Sequence, residues 1–282
     1  MVQCLGFVAG WESPAGGSIA GKLFASRLAG PMDSDTDLGG PAAVFPATRC
    51  GLVSAAGSTD PAVRKQAFEV LLSVYWKPVY KYIRVKWALN NEDAKDVTQA
   101  FFARALEKGF FDPFDPARAQ FRTFLRVCVD GFVAKERRAA TRLKRGGDVE
   151  LLSLDFEGAD GELLRHAVAA GTDPDDFFRQ EWVRGLFGLA VEDLRRESTA
   201  SGKDTHFALF RRYDLDGPNE PQRLTYAQLG REFDLSETQV TNYLAHARRR
   251  FRQLVLERLH ATTGSEEEFR EECRRLFGGG VP

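Results

Sequence analysis

One six-residue pattern is written twice within a short stretch of this chain: Leu-Thr-x-x-Gln-Leu from Leu224 and Leu-Ser-x-x-Gln-Val from Leu235. Each copy spells a helix start. Thr225 or Ser236 can accept a hydrogen bond from the backbone N–H three residues on, while Gln228 or Gln239 reaches back to the cap's own N–H, which makes a capping box. Leu224 can pack on Leu229, and Leu235 on Val240, as apolar staples across each start. The first helix has little room before Asp234, so two helices must be joined by a tight turn, a helix-turn-helix.

In the second of these helices Val240, Leu244, Ala247 and Phe251 fall on one side at helical spacing and are expected to be buried. Thr238, Asn242, Ala245, His246 and Arg249 then point outward, flanked by Arg248, Arg250 and Arg252. A polar N-terminal half can read base edges and a basic C-terminal half can meet phosphates, the division expected of a recognition helix in a major groove. Ser236, Gln239 and Thr241 complete the candidate set. An ordinary helical hairpin with a solvated basic face is the alternative that capping boxes alone leave open.

The remainder of the chain reads as helical too. Residues 1–44 hold eight Gly and three Pro without periodicity and are expected to be a disordered extension, with Met32 as an alternative start. From Asp60 the apolar spacing of Val63, Ala67, Val70, Leu71 and Val74 predicts a helix that Pro78 ends or kinks, followed by a second through Val79, Ile83 and Trp87. Asn90-Asn91 can cap a third helix, in which Ala94, Val97, Phe101 and Ala105 form a core face opposite Asp96, Gln99, Ala103 and Glu107. The turn-rich loop GFFDPFDPARAQ comes next, then a long helix over about Phe121–Lys144 with Phe121, Phe124, Leu125, Cys128 and Phe132 inward.

Charge is strongly segregated, although the net value is only −1. The stretch KERRAATRLKR, Lys135 to Arg145, carries six basic residues against one acidic, whereas Gly146 to Phe178 carries nine acidic residues against Arg165. The latter reads as an acidic linker. The expected organisation is all-α: a helical domain over 45–145, an acidic linker over 146–176, a helix-turn-helix domain over 177–262 and a helical tail over 263–282. Phe178, Trp182, Gly185 and Leu189 build the first helix of the second domain, Phe207, Phe210 and Tyr213 another, and Ser265 with Glu268 marks the start of the tail helix. With 43% hydrophobic and 28% charged residues, the 282-residue composition suits a soluble protein of two small domains.

Cys4, Cys50, Cys128 and Cys273 are far apart and form no Cys-x-x-Cys pair, so no disulfide framework or zinc site is signalled. No apolar run reaches the length of a membrane span, and a signal peptide is not evident, which fits a cytoplasmic protein. His166, His206, His246 and His260 lack metal-ligand spacing and no Gly-x-x-x-x-Gly-Lys loop occurs. No enzyme activity, catalytic residue, metal or cofactor is expected.

Taken in order, DAKDVTQAFFARALEK, FDPARAQFRTFL, KERRAATRLKR, the acidic stretch and LTYAQLGREFDLSETQVTNYLAHARRRF resemble regions two and four of the extracytoplasmic-function sigma factors of bacterial RNA polymerase. FPATRCGLVSAAGSTDPAVRKQAFEVLLSVYW, FFARALEKGFF and SEEEFREECRRLF look closest to an ECF-like group common in planctomycetes. The likeness spans roughly residues 45–277. It implies that Asp96, Gln99 and Ala103 dock on core polymerase, through its beta and beta-prime subunits. It further implies capture of the unwound downstream promoter strand by Phe110, Phe111 and Phe114, with Arg118, Arg122, Arg126, Lys135, Arg137 and Arg138 neutralising phosphates; simple anchoring of their loop is the alternative for the three aromatics. The partners implied are core polymerase and promoter DNA, with an anti-sigma factor or other regulator as a further candidate. By the same resemblance the acidic linker threads the polymerase channel that nascent RNA will occupy; a plain solvated tether explains its composition equally well.

Gly131 and Lys135 stand where many such sequences carry Asn and Asp, and Thr241 replaces a frequent basic residue, so the family's base preferences do not transfer. The expected function is a sigma factor directing promoter recognition, melting and transcription initiation. The alternative is a conventional helix-turn-helix regulator whose N-terminal helical domain senses a ligand or partner.

Overall fold

The computed structural model describes residues 52–56, 58–140, 154–165, 172–217 and 224–277. The expected disordered extension, the end of the basic run and, within the acidic stretch, residues 146–153 and 166–171 lie outside them. Among the described residues the structure is all-helical, without strands. The elements are α1 (Leu52–Ala56), α2 (Pro61–Lys86), α3 (Asn91–Lys108), α4 (Phe121–Ala140), α5 (Phe156–Arg165), α6 (Pro174–Ala200), α7 (Asp204–Phe210), α8 (Tyr226–Phe233), α9 (Glu237–Thr262) and α10 (Glu266–Phe277). A π-helical turn, Arg211–Asp216, follows α7. No helix among the described residues is long and apolar enough to cross a membrane.

The chain divides into two compact units. One comprises Thr48–Leu186 with Leu259–Phe269; the other includes Phe187–Arg258 with Arg270–Pro282. Residues up to Leu186 therefore group with the first unit, ten residues beyond the expected linker end at 176. The start of the tail belongs there as well. Glu268 receives hydrogen bonds from the backbone N–H of Phe121 at 3.0 Å and of Gly264 at 2.8 Å, so the acid of the expected Ser265–Glu268 box also caps α4.

Local signals set most helix starts. Asp60 accepts from Ala62 N at 2.8 Å with Pro61 in the first turn, and Asn90 accepts from Asp93 N at 2.8 Å. Gly109 ends α3 in the left-handed region at φ +59°, where a side chain would be strained and would also meet Asp112. Pro78 does not end the helix: α2 continues past it to Lys86. The missing N–H and ring clash cost about 3 kcal/mol. Burial of Val74, Tyr75, Pro78, Val79 and Tyr80 around that point offsets it.

The acidic stretch is the second departure. Within it α5 forms and is part of the unit core, with Phe156 edge-on to Trp76 at 5.3 Å and to Tyr80 at 5.2 Å. Its carboxylates meet a basic row on α2. Lys77 and Lys81 each lie 2.9 Å from Glu162, Lys81 lies 2.7 Å from Glu181, and Arg84 lies 2.7 Å from Asp160. The Tyr80 hydroxyl lies within hydrogen-bond distance of both Asp160 Oδ1, at 2.9 Å, and Asn91 Oδ1, at 2.6 Å. Lys81 is only 2% exposed, so its charge is compensated inside the protein rather than by water. Burial works against the charge on Glu162 and Asp160, but their cationic partners outweigh it and hold both below the usual carboxylate range. Over residues 156–165 a tether is thus replaced by a docked helix, because opposite charges and an aromatic anchor are matched to α2.

Candidate nucleic-acid interface

The helix-turn-helix forms by the capping chemistry written in the sequence. Thr225 N donates to Gln228 Oε1 at 2.8 Å and Gln228 N to Thr225 Oγ1 at 3.2 Å; Ser236 and Gln239 repeat the exchange at 2.9 and 3.2 Å. Asp234 closes α8 in the left-handed region at φ +52°, and Leu235 N donates to Gly230 O at 2.8 Å. The turn comes so close to α8 that a Cβ on Gly230 would lie 2.5 Å from the Leu235 carbonyl oxygen. Only glycine fits there without displacement.

On α9, Val240, Leu244, Ala247 and Phe251 are buried, and Thr238, Thr241, Asn242, Ala245 and Arg249 are exposed. Ser236 and Gln239 are exposed too, yet their oxygens are occupied by the cap. The Thr241 hydroxyl donates back to Glu237 O at 2.9 Å. Thr238, Asn242 and Arg249 are polar side chains on the exposed side of α9, of types able to meet a base edge.

Arg248 and Arg250, expected at phosphates, are each bound to a carboxylate of the protein. Arg248 forms a two-pronged pair with buried Asp214 at 2.8 and 2.9 Å and lies over the Tyr213 ring. Burial opposes its charge, but the hydrogen bonds it donates to the Asp214 carboxylate outweigh that and raise its pKa. Arg250 forms a similar pair with Glu197, both bonds 2.7 Å, and adds Glu257 at 3.0 Å. These guanidiniums tie α9 to the π-helical turn and to α6. No local spacing signals Asp214 or Glu197 as partners, because both are remote in sequence.

His246 is half-buried. Its Nε2 lies 3.0 Å from Lys203 Nζ, and the ring of His206 stacks on Tyr243 at 3.9 Å. Burial first and Lys203 second depress both histidine pKa values. A cation-forming group with a lowered folded pKa binds its proton better when unfolded, so its stabilisation is present above the unfolded value of about 6.5 and is lost as pH falls below it. Asp160, Glu162 and Glu197 are lowered carboxylates, whose contribution is lost only as pH falls below about 4. Thermal melting across pH is expected to show two stages of acid destabilisation, the first and smaller one absent from a His206→Gln, His246→Gln double variant.

In the other unit the expected single-strand surface is largely turned inward. Phe111 stacks on Phe68 at 5.9 Å and meets Phe121 edge-on at 5.5 Å; Phe114 packs on Phe121 and Phe124 at 5.2 and 5.3 Å. Phe110 lies between Phe101 and Phe132 at 6.2 and 6.4 Å. These rings anchor their loop, since an irregular segment gains most from burying its largest apolar groups. Arg122 is buried with its guanidinium 5.0 Å over Trp182, and Arg126 pairs with Asp130 at 3.0 Å and Asp175 at 2.6 Å. Neither is presented to a strand. Arg118, whose side chain is 86% exposed, and Lys135, Arg137 and Arg138 remain at the surface; Arg137 also lies 5.6 Å over Trp87.

On α3, Asp96 is exposed and Gln99 partly so. Ala103 is 5% exposed and offers no docking surface, which corrects its assignment to the free face. Thr98, Phe101, Phe102, Ala103 and Ala105 are all buried, the pattern of a helix covered from more than one side.

Comparison with protein-family models, with curated proteins and with solved structures finds no match.

Proposed function

We propose that this chain is a sigma-type transcription initiation factor: a cytoplasmic, non-catalytic subunit that joins bacterial core RNA polymerase and reads an upstream promoter element through α9. The observation that carries this reading is the doubly boxed helix-turn-helix with Thr238, Asn242, Ala245 and Arg249 along its exposed side. Asp96 and Gln99 on α3 are available for core docking, and Arg118, Lys135, Arg137 and Arg138 for opened DNA. The test is run-off transcription: core polymerase with the full chain should initiate at a promoter drawn from its own genome, where core alone does not.

A second reading, a conventional duplex-binding regulator, is favoured by one observation: of the loop aromatics that would stack on unpaired bases, Phe111 is buried and Phe110 and Phe114 each pack on core rings. Gel shifts separate the two. A regulator binds its operator without polymerase, whereas an initiation factor binds promoter weakly alone and tightly with core. In either case Arg249→Ala should lower duplex affinity and reduce the log–log salt slope by about 0.9, the value for one phosphate contact. Arg250→Ala should instead lower the melting temperature and leave the slope unchanged, because its charge is already held by Glu197.

A further inference from the structure

We infer that Lys203, with His246 and Arg249, forms a seat for one backbone phosphate of duplex DNA beside the groove that α9 enters. The inference rests on the duplex-reading role proposed for α9 and extends it to a residue outside the helix-turn-helix.

Lys203 immediately precedes α7 and comes to the α9 surface from another part of the chain. Its ammonium has only protons to give, so it donates to His246 Nε2 and leaves two N–H groups for other acceptors. Arg249, one turn on from His246, is exposed. Neither Lys203 nor Arg249 has a carboxylate partner among the described residues. Asp204, next to Lys203, takes a hydrogen bond from the Thr199 hydroxyl at 2.7 Å instead.

The neighbouring cations differ. Arg212, Arg248, Arg250 and Arg258 of the same unit are each matched to a carboxylate at 3.1 Å or less. His206 completes the cluster, 5.2 Å from His246 between ring centres, and its Nδ1 is buried without a hydrogen-bond partner. Two cations without a carboxylate on one surface mark a place where an anion is wanted. Its position beside the exposed arc of Asn242, Ala245 and Arg249 selects the anion: a helix lying in a major groove has a phosphate strand along each flank. With Arg248 and Arg250 paired to carboxylates of the protein, Lys203 takes over the flanking phosphate role.

The test is binding of the full chain to a mixed-sequence duplex three helical turns long, followed by fluorescence anisotropy between about 50 and about 200 mM salt. Lys203→Gln should weaken binding at the lower salt and reduce the slope of log affinity against log salt by about 0.9, so that over the fourfold salt rise wild type loses about 3.5-fold more affinity than the variant. Lys203→Arg should restore the wild-type slope. An unchanged slope in Lys203→Gln, or a slope lost equally in Lys203→Arg, would overturn the phosphate seat and leave the role of α9 standing. Failure of the wild-type chain to bind at the lower salt would overturn both.

Discussion

Replacing Lys81 by Ala should destabilise its unit by about 3–5 kcal/mol, the cost of removing one partner from a buried ion pair. Lys81 is the hub between Glu162 on α5 and Glu181 on α6, and both carboxylates are buried. Without the ammonium each remains in a site with little water, and the remaining pairs, Lys77 with Glu162 and Arg184 with Glu181, are nearer the surface. The opposite manipulation should be mild. A Lys81→Met, Glu162→Gln, Glu181→Gln variant takes the charges away together, so much of the stability lost by Lys81→Ala should return. Urea denaturation midpoints of the two variants measure the difference. If Lys81→Ala unfolds at the wild-type midpoint, α5 is not held by this cluster.

Gly230→Ala is expected to have its largest effect on recognition. The added methyl would sit 2.5 Å from the Leu235 carbonyl, and backbone cannot swing aside as a long side chain can. Overpacking costs about 1–3 kcal/mol, partly offset by a helix-propensity gain of about 1 kcal/mol. The unit should therefore still fold. What must change is the approach of α9 to α8, and duplex affinity should fall by more than about tenfold, or ~1.4 kcal/mol. Equal affinity of the variant and wild type for the same duplex would show that α9 does not depend on this turn to reach DNA.

What could be read in advance was local. Thr225 with Gln228, and Ser236 with Gln239, satisfy each other within one helical turn, so adjacent residues determine the geometry. The same holds for Asp60 before Pro61 and for Asn90. Arg248 and Arg250 were opaque because their carboxylates, Asp214 and Glu197, are distant along the chain and carry no spacing signature. The Phe110–Phe114 loop stayed open for a related reason: aromatics suited to stacking on bases are equally suited to stacking on Phe68, Phe121 and Phe132. In the acidic stretch a usable clue was present. Lys77, Lys81 and Arg84 recur along one face of α2, and a basic row of that kind calls for an acidic partner such as Asp160 and Glu162. Pro78 misled because propensity is a weak prior against a buried surface.

The most direct test of an initiation-factor role is association of the labelled full chain with purified bacterial core RNA polymerase at low salt. A stable complex is expected, weakened by more than about tenfold in an Asp96→Ala, Gln99→Ala variant that keeps the wild-type melting temperature. No association of the wild-type chain with core enzyme, under conditions where it binds duplex DNA unaided, would contradict that role and leave a conventional regulator in its place.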